Sequence, residues 1–244
     1  MKFLSTPKVQ SLIAAVNSLK IYTDWCLING LVSDGQNHYC EITTEIICGC
    51  IDLNKFSKLI IPSRKALMES INMLHNYTDK FLILGLYEGI PRRYLDEAKF
   101  SDLSEDGSSL IINGKEFHIS AQLRNIITGC NDETEYVGYG KGGSRQYVDS
   151  EYIIKQTSEK SASNRGLVIS QRLRKCEMQM GWNLQLIAKD IMESGRMEMI
   201  RKIMEDNNIT VNTAVNQPYR VMHEEVYGKI QNITTYLATY GKFI

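Results

Sequence analysis

The sequence has few of the residues that mark specialised protein classes. Its 244 residues include only 4 prolines and 6 cysteines, and the formal net charge is zero. So few prolines, without any low-complexity tract, exclude a long flexible linker. The cysteines are too sparse for a disulfide scaffold, which favours a reducing compartment. Because the charges cancel, no general electrostatic attraction draws the chain to polyanions or to acidic membranes.

Long apolar runs are also missing. No stretch approaches the roughly 20 apolar residues that span a bilayer, and the first residues lack the apolar run of a signal peptide. We therefore predict a cytoplasmic protein without a membrane span. Hydrophobic residues make up 43% and charged residues 23% of the chain, which is typical of a folded protein with its own core.

Recognisable catalytic signatures are absent. None of the four histidines lies in a nucleophile-elbow or protease-like motif, and the acidic clusters at Asp102–Asp106 and Asp132–Glu135 have the composition of solvated loops. We assign no catalytic residue and no cofactor, and the sequence leaves open whether the protein is an enzyme.

One group of possible metal ligands is concentrated between residues 38 and 50. Imidazole and thiolate groups are the ligands that zinc prefers, but the Cys-x-Cys spacing is poor for a chelate. Free cysteine is also among the most buried residue types, so a set of small buried residues in a strand is the favoured explanation of the group. We assign no metal site and leave open whether zinc binds these four side chains, His38, Cys40, Cys48 and Cys50.

Local patterns predict both helices and strands in the front part. Thr6-Pro7 and Pro62-Ser63 each have the composition of a helix start. Asn113-Gly114 lies between two apolar segments and predicts a β-hairpin with a type I′ turn. Three further segments are predicted to be extended because they are rich in β-branched or apolar residues: Tyr39–Cys50, Phe81–Leu86 and Tyr147–Ile154.

The chain after residue 155 is predicted to be mainly helical. Apolar residues recur at helical spacing from Asn164 to Glu193, with an interruption at Gly181 and a stop at Gly195. A short helix over Met197–Glu205 and a last helix from Pro218 follow. The predicted fold is α+β, with a small mixed or antiparallel sheet in the front part and a helical C-terminal third. We place the parts at 1–155 and 156–244, although one continuous domain is also consistent with the pattern.

The best functional cue is a stretch rich in tyrosine, glycine and basic residues. Four glycines fall between residues 138 and 143, and eight basic against four acidic residues lie between 138 and 185. Aromatic faces interleaved with cations are typical of single-stranded nucleic-acid binding. The stretch lacks the Walker and dinucleotide-binding spacings. The predicted nucleic-acid-binding residues are Tyr136, Tyr139, Lys141, Arg145, Tyr147, Lys155, Arg165, Arg172, Arg174 and Lys175.

Three functions remain consistent with the sequence. The first is a non-enzymatic protein that binds RNA or single-stranded nucleic acid, or a self-assembling structural protein, in the manner of viral nucleocapsid or matrix proteins. The net charge of −5 over residues 101–137 precedes the basic stretch, so neighbouring copies could attract each other as homo-oligomers. The second is an enzyme acting on a phosphate-bearing ligand at the glycine-rich loop 138–145. The third is a protein–protein interaction module.

Overall fold

Helices dominate the chain, with two small antiparallel sheets between them. The computed structural model describes residues 9–32, 35–49, 60–139, 143–158, 165–182 and 187–244. This arrangement confirms the predicted α+β class. Among the described residues, no helix combines the length and the apolar character needed to cross a bilayer. By contacts, the chain divides into two units, residues 1–57 with 230–244, and residues 58–229. The boundary expected near residue 156 falls within the second unit.

In the described part of the first unit there are three helices and a 3-10 turn. The turn spans His38–Glu41, where the Asn37 side chain accepts a hydrogen bond from the Tyr39 amide. The extended segment predicted over Tyr39–Cys50 is therefore wrong. Strand preference of β-branched residues is a weak effect that local capping overrides, and the Thr43 hydroxyl accepts from the Ile46 amide at the start of the second helix. The helices are α1 Val9–Ile28, α2 Thr44–Gly49 and α11 Ile233–Tyr240.

The second unit is organised around one helix that is buried along most of its length, α4, which spans Tyr77–Tyr87. The strand predicted over Phe81–Leu86 is wrong, because a short run that is apolar on every side fits a buried strand and a buried helix equally well. Several helices that follow α4 in the sequence pack against it. The remaining front helices are α3 Arg64–Ile71, α5 Arg92–Glu97 and α6 Ala121–Asp132, with a 3-10 turn at Phe100–Asp102.

The predicted β-hairpin is confirmed. Strands β1 Ser109–Ile112 and β2 Lys115–His118 pair antiparallel, with Ile112 opposite Lys115. Asn113 and Gly114 both adopt positive φ angles, of 50° and 74°, as the tight turn requires. The strand predicted over Tyr147–Ile154 is wrong, because these residues form no regular strand. The second sheet lies just before them and pairs β3 Glu135–Tyr136 with β4 Arg145–Gln146.

The C-terminal part is helical, as predicted, with different boundaries. Gly181 has a φ of 65° and follows α7, Arg165–Gln179. Helix α8 spans Ala188–Asn207 without a break, so the stop predicted at Gly195 and the separate helix after it are wrong. Gly195 is needed for close packing, because a Cβ there would overlap the Tyr87 carbonyl oxygen. The chain continues through α9 Val211–Ala214 and α10 Arg220–Tyr227.

Candidate functional site

Half of the predicted nucleic-acid-binding residues lie together around one buried ion pair. Arg172 of α7 is only 6% exposed, and its Nη1 lies 3.5 Å from Oδ1 of Asp79, a fully buried residue of α4. Arg172 also donates from Nη2 to the Lys155 carbonyl oxygen at 2.8 Å. Burial alone would lower the pKa of Arg172, but the adjacent Asp79 carboxylate raises it overall. The guanidinium therefore stays charged in the interior and ties α7 to α4.

The tyrosines complete this buried network. Tyr136 is 8% exposed, and the Arg172 guanidinium lies 4.9 Å from its ring centre. The Tyr139 hydroxyl donates to Oδ2 of Asp79 at 2.8 Å, and the Tyr147 hydroxyl donates to Oε2 of Glu133 at 3.1 Å. Burial is the main cause that raises the pKa of all three hydroxyls above the ordinary value. These rings contact each other and the ion pair, so the structure gives the Tyr136 ring and the Arg172 guanidinium a role in packing.

Lys155 belongs to the same network at its edge. Its ammonium group donates to the Glu133 carbonyl oxygen at 2.8 Å and to the Asn131 carbonyl oxygen at 2.9 Å. Both acceptors lie at the C-terminal end of α6 or directly after it, where a cation is favourable for the helix dipole. The side chain is therefore engaged with the protein backbone.

The other predicted residues lie outside the network. Arg145, Arg174 and Lys175 are exposed. Lys141 lies outside the described residues, as does the side chain of Arg165, whose backbone begins α7. Arg145 lies on β4, whereas Arg174 and Lys175 lie on α7.

A cleft in the second unit is lined by cationic side chains from three helices. Its volume is about 620 Å³, and Arg92 of α5, Arg174 of α7 and Lys189 of α8 all line it. The spacing of residues 170, 173, 174 and 177 places them on one face of α7, while Arg172 lies about 200° around the helix from residue 170. The buried ion pair on one side of α7 thus orients the opposite side toward the cleft. Among the described residues, the lining consists of Arg92, Ser170, Leu173, Arg174, Glu177, Ile187, Ala188 and Lys189.

The charges of the cleft are unequal. Of the described residues that line it, three are cationic and one, Glu177, carries a carboxylate. Arg92 donates from Nη1 to the Ser170 hydroxyl at 3.0 Å and lies 3.9 Å from the Asp96 carboxylate. Arg174 and Lys189 make no hydrogen bond and no ion pair within 4 Å with any residue that the structure describes, although the Lys189 charge acts on the Glu193 carboxylate one helical turn away. Unpaired cations on a concave surface attract anions, and arginine matches the geometry of a phosphate group.

Sequence reasoning missed four polar residues of this cleft, Arg92, Ser170, Glu177 and Lys189. One local signal was present, since Ser170 and Arg174 are four residues apart and must share a helix face. Arg92 was not recognisable because it is distant from Ser170 in sequence and meets it only in the fold.

The zinc hypothesis gains no support from the structure. His38 and Cys40 are exposed in the 3-10 turn, and the side chains of Cys48 and Cys50 lie outside the described residues. Within the described ranges, no three His, Cys, Asp or Glu side chains are grouped to hold a metal ion.

Comparison with known proteins shows that the cleft lies within a region that matches a known protein family. No curated protein sequence matches the chain. A family model described as the MrpR C-terminal catalytic domain matches residues 61–237, a range that contains every described residue of the cleft lining and excludes α1. Because this match covers well over half of the 244 residues, the chain belongs to the family of MrpR C-terminal catalytic domains.

Proposed function

We propose that the cleft lined by Arg92, Arg174 and Lys189 binds the phosphate backbone of a nucleic acid. The observation that supports this most is the convergence of three cations from three helices, two of them unpaired among the described residues. The exposed Lys175 follows Arg174 on the same helix and extends the positive surface. This proposal keeps the nucleic-acid function expected from the sequence but moves it from the tyrosine-rich stretch to the cleft.

The balance of charges explains why such binding is compatible with a neutral chain. A long-range field is absent, so affinity depends on local contacts between guanidinium or ammonium groups and phosphate oxygens. Three such contacts are few, and we expect affinity in the range of non-specific nucleic-acid binding, with Kd of about 10⁻⁴ to 10⁻⁶ M at physiological salt.

Fluorescence anisotropy with labelled oligonucleotides tests the proposal. The probes are one RNA, the same sequence as single-stranded DNA, and its duplex. The variant Arg92→Ala/Arg174→Ala should weaken binding at least tenfold. The matched control Lys65→Ala/Lys202→Ala removes the same charge from exposed positions that do not line the cleft and should retain most of the affinity. Equal affinity of the cleft variant and the unmodified protein would refute the proposal.

An enzyme acting on a phosphate-bearing ligand is the second candidate. It is supported by the description of the matched family as a catalytic domain and by the Ser170 hydroxyl, which Arg92 contacts within the cleft. The test is gel analysis of the same labelled oligonucleotides after incubation with the protein, with and without divalent cations. A cleaved or protein-linked product that Ser170→Ala abolishes would favour this candidate over binding alone. The glycine-rich loop remains a predicted alternative site for it, with residues 140–142 outside the described residues.

The cellular setting is also part of the proposal. We infer a cytoplasmic location, supported by four described cysteines that are free thiols, Cys26, Cys40, Cys130 and Cys176. A viral nucleocapsid-like or matrix-like role stays a prediction of the sequence. Fractionation of cells that express the tagged protein tests the location, and recovery in a membrane or secreted fraction would contradict it.

A further inference from the structure

Helix α1 carries an exposed apolar surface at the C-terminal half of its length. Ile21 is 71% exposed, Tyr22 63%, Trp25 53% and Ile28 83%. The rings of Tyr22 and Trp25 stack on each other, with centroids 6.2 Å apart. Four neighbouring large apolar side chains with this much exposure are unusual for a surface helix and indicate a contact surface.

The four side chains occupy one side of the helix. At 100° per residue they fall within an arc of about 120°. The opposite side carries the half-buried Val16, Thr23 and Leu27, and Cys26, next to the arc, is buried. The charged residues of α1 lie outside the arc and are engaged elsewhere, since Lys20 donates to the Ile42 carbonyl oxygen and Asp24 accepts from Asn37. The arc itself carries no charged side chain.

The N-terminal half of the same arc carries small residues. Ser11, Ala14 and Ser18 are all exposed, and the Ser18 hydroxyl donates to the Ala14 carbonyl oxygen within the helix. Along the helix axis, the small residues and their large counterparts lie at equal distances on either side of one point, midway between residues 19 and 20. A half-turn about that point exchanges residue 11 with residue 28, residue 14 with residue 25, and residue 18 with residue 21.

We propose that α1 binds α1 of a second copy of this chain in an antiparallel pair. In this register three of the four large side chains of one helix lie opposite a small residue of the partner: Ile28 opposite Ser11, Trp25 opposite Ala14, and Ile21 opposite Ser18. An isologous contact needs this kind of self-complementary surface, and small residues let two helices approach closely. The surface belongs to the first unit, whereas the proposed nucleic-acid cleft belongs to the second.

The size of the surface fits a reversible dimer. A fully exposed large side chain has a surface of about 200 Å². Multiplied by the exposed fractions of the four side chains, this gives an exposed apolar area of roughly 500 Å² per chain. Two copies would then bury about 1,000 Å², which is the lower limit for a specific interface. We therefore expect a dimer with a Kd in the micromolar range.

Sedimentation velocity of the full chain over a range of micromolar concentrations tests the proposal. The unmodified protein should shift from monomer to dimer as concentration rises, and Ile21→Glu should remain monomeric. The matched control Ile111→Glu, at a half-exposed position of β1, should dimerise normally. A monomer at every concentration would overturn the proposal, as would equal dimerisation of Ile21→Glu and the unmodified protein.

An exchange of side chains tests the register. Trp25→Ala should weaken the dimer by removing the largest contact, and Ala14→Trp should weaken it by placing two indoles against each other. The double variant Ala14→Trp/Trp25→Ala restores one large and one small residue at each crossing and should recover dimerisation. Both positions are exposed, so each variant should fold, which circular dichroism verifies. Failure of the double variant to exceed both single variants would overturn the antiparallel register.

Discussion

Replacing Asp79 by asparagine isolates the charge of the buried ion pair that fixes α7. In Asp79→Asn the new amide would keep the shape of the side chain and could still accept from the Tyr139 hydroxyl, but it would leave the Arg172 cation without its counter-ion. Breaking a buried ion pair on one side costs about 3–5 kcal/mol. We expect about 3 kcal/mol, because Arg172 retains its hydrogen bond to the Lys155 carbonyl oxygen.

Urea denaturation followed by circular dichroism measures this loss. For a chain of this length, about 3 kcal/mol corresponds to a fall of roughly 6–12 °C in Tm. The exposed Glu105→Gln is the matched control and should change stability little. The double variant Asp79→Leu/Arg172→Met should recover much of the stability, because an apolar pair needs no desolvation of charge. The reasoning fails if Asp79→Asn costs less than about 1 kcal/mol, or if the double variant is as unstable as the sum of its parts.

Two further predictions concern the packing of α8 against its neighbours. Burial, reinforced by the charge of Arg196, lowers the pKa of His223 to about 4, so stability should be fully present above pH 6.5 and be lost as pH falls toward 4, by about 2 kcal/mol. Acid titration of the urea midpoint measures this, and His223→Gln should flatten the curve whereas the exposed His118→Gln should not. Gly195→Ala should cost about 2 kcal/mol or more, because the added methyl group meets the Tyr87 backbone. Gly143→Ala has open space and should be neutral in the same urea assay; equal effects would contradict the packing argument.

Elements with strong local signals were predictable from the sequence. The hairpin followed from Asn113-Gly114, because few other residues adopt two consecutive positive φ angles at low cost. The α3 helix followed from Ser63, whose hydroxyl accepts from the Ala66 amide as a cap. In both cases a few adjacent residues determine the backbone, so no knowledge of the tertiary fold is needed.

Elements that depend on burial were not predictable in the same way. Phe81–Leu86 is apolar on every side, and only packing within the second unit shows that it is helical. The tyrosine-rich stretch was interpreted as an exposed stacking surface because nothing local shows that Asp79 lies beneath it. A buried carboxylate is invisible in a sequence, where aspartate is expected at the surface.

The candidate site was predictable only in part. Arg174 and Lys175 were identified from the basic stretch, and both are exposed. Arg92 and Lys189 come from helices far apart in sequence, and the buried ion pair decides which side of α7 faces them. Convergence of this kind is a property of the tertiary structure, so composition alone could not reveal the cleft.

The salt dependence of nucleic-acid binding tests the central claim most directly. Each phosphate contact contributes about −0.7 to the slope of log K against log salt for single strands and about −0.9 for duplex DNA. If Arg92 and Arg174 each contact a phosphate, the variant Arg92→Ala/Arg174→Ala should lower the magnitude of the slope by about 1.5, and Lys65→Ala/Lys202→Ala should leave it unchanged. An identical slope for the cleft variant and the unmodified protein would contradict the claim that this cleft binds a phosphate backbone.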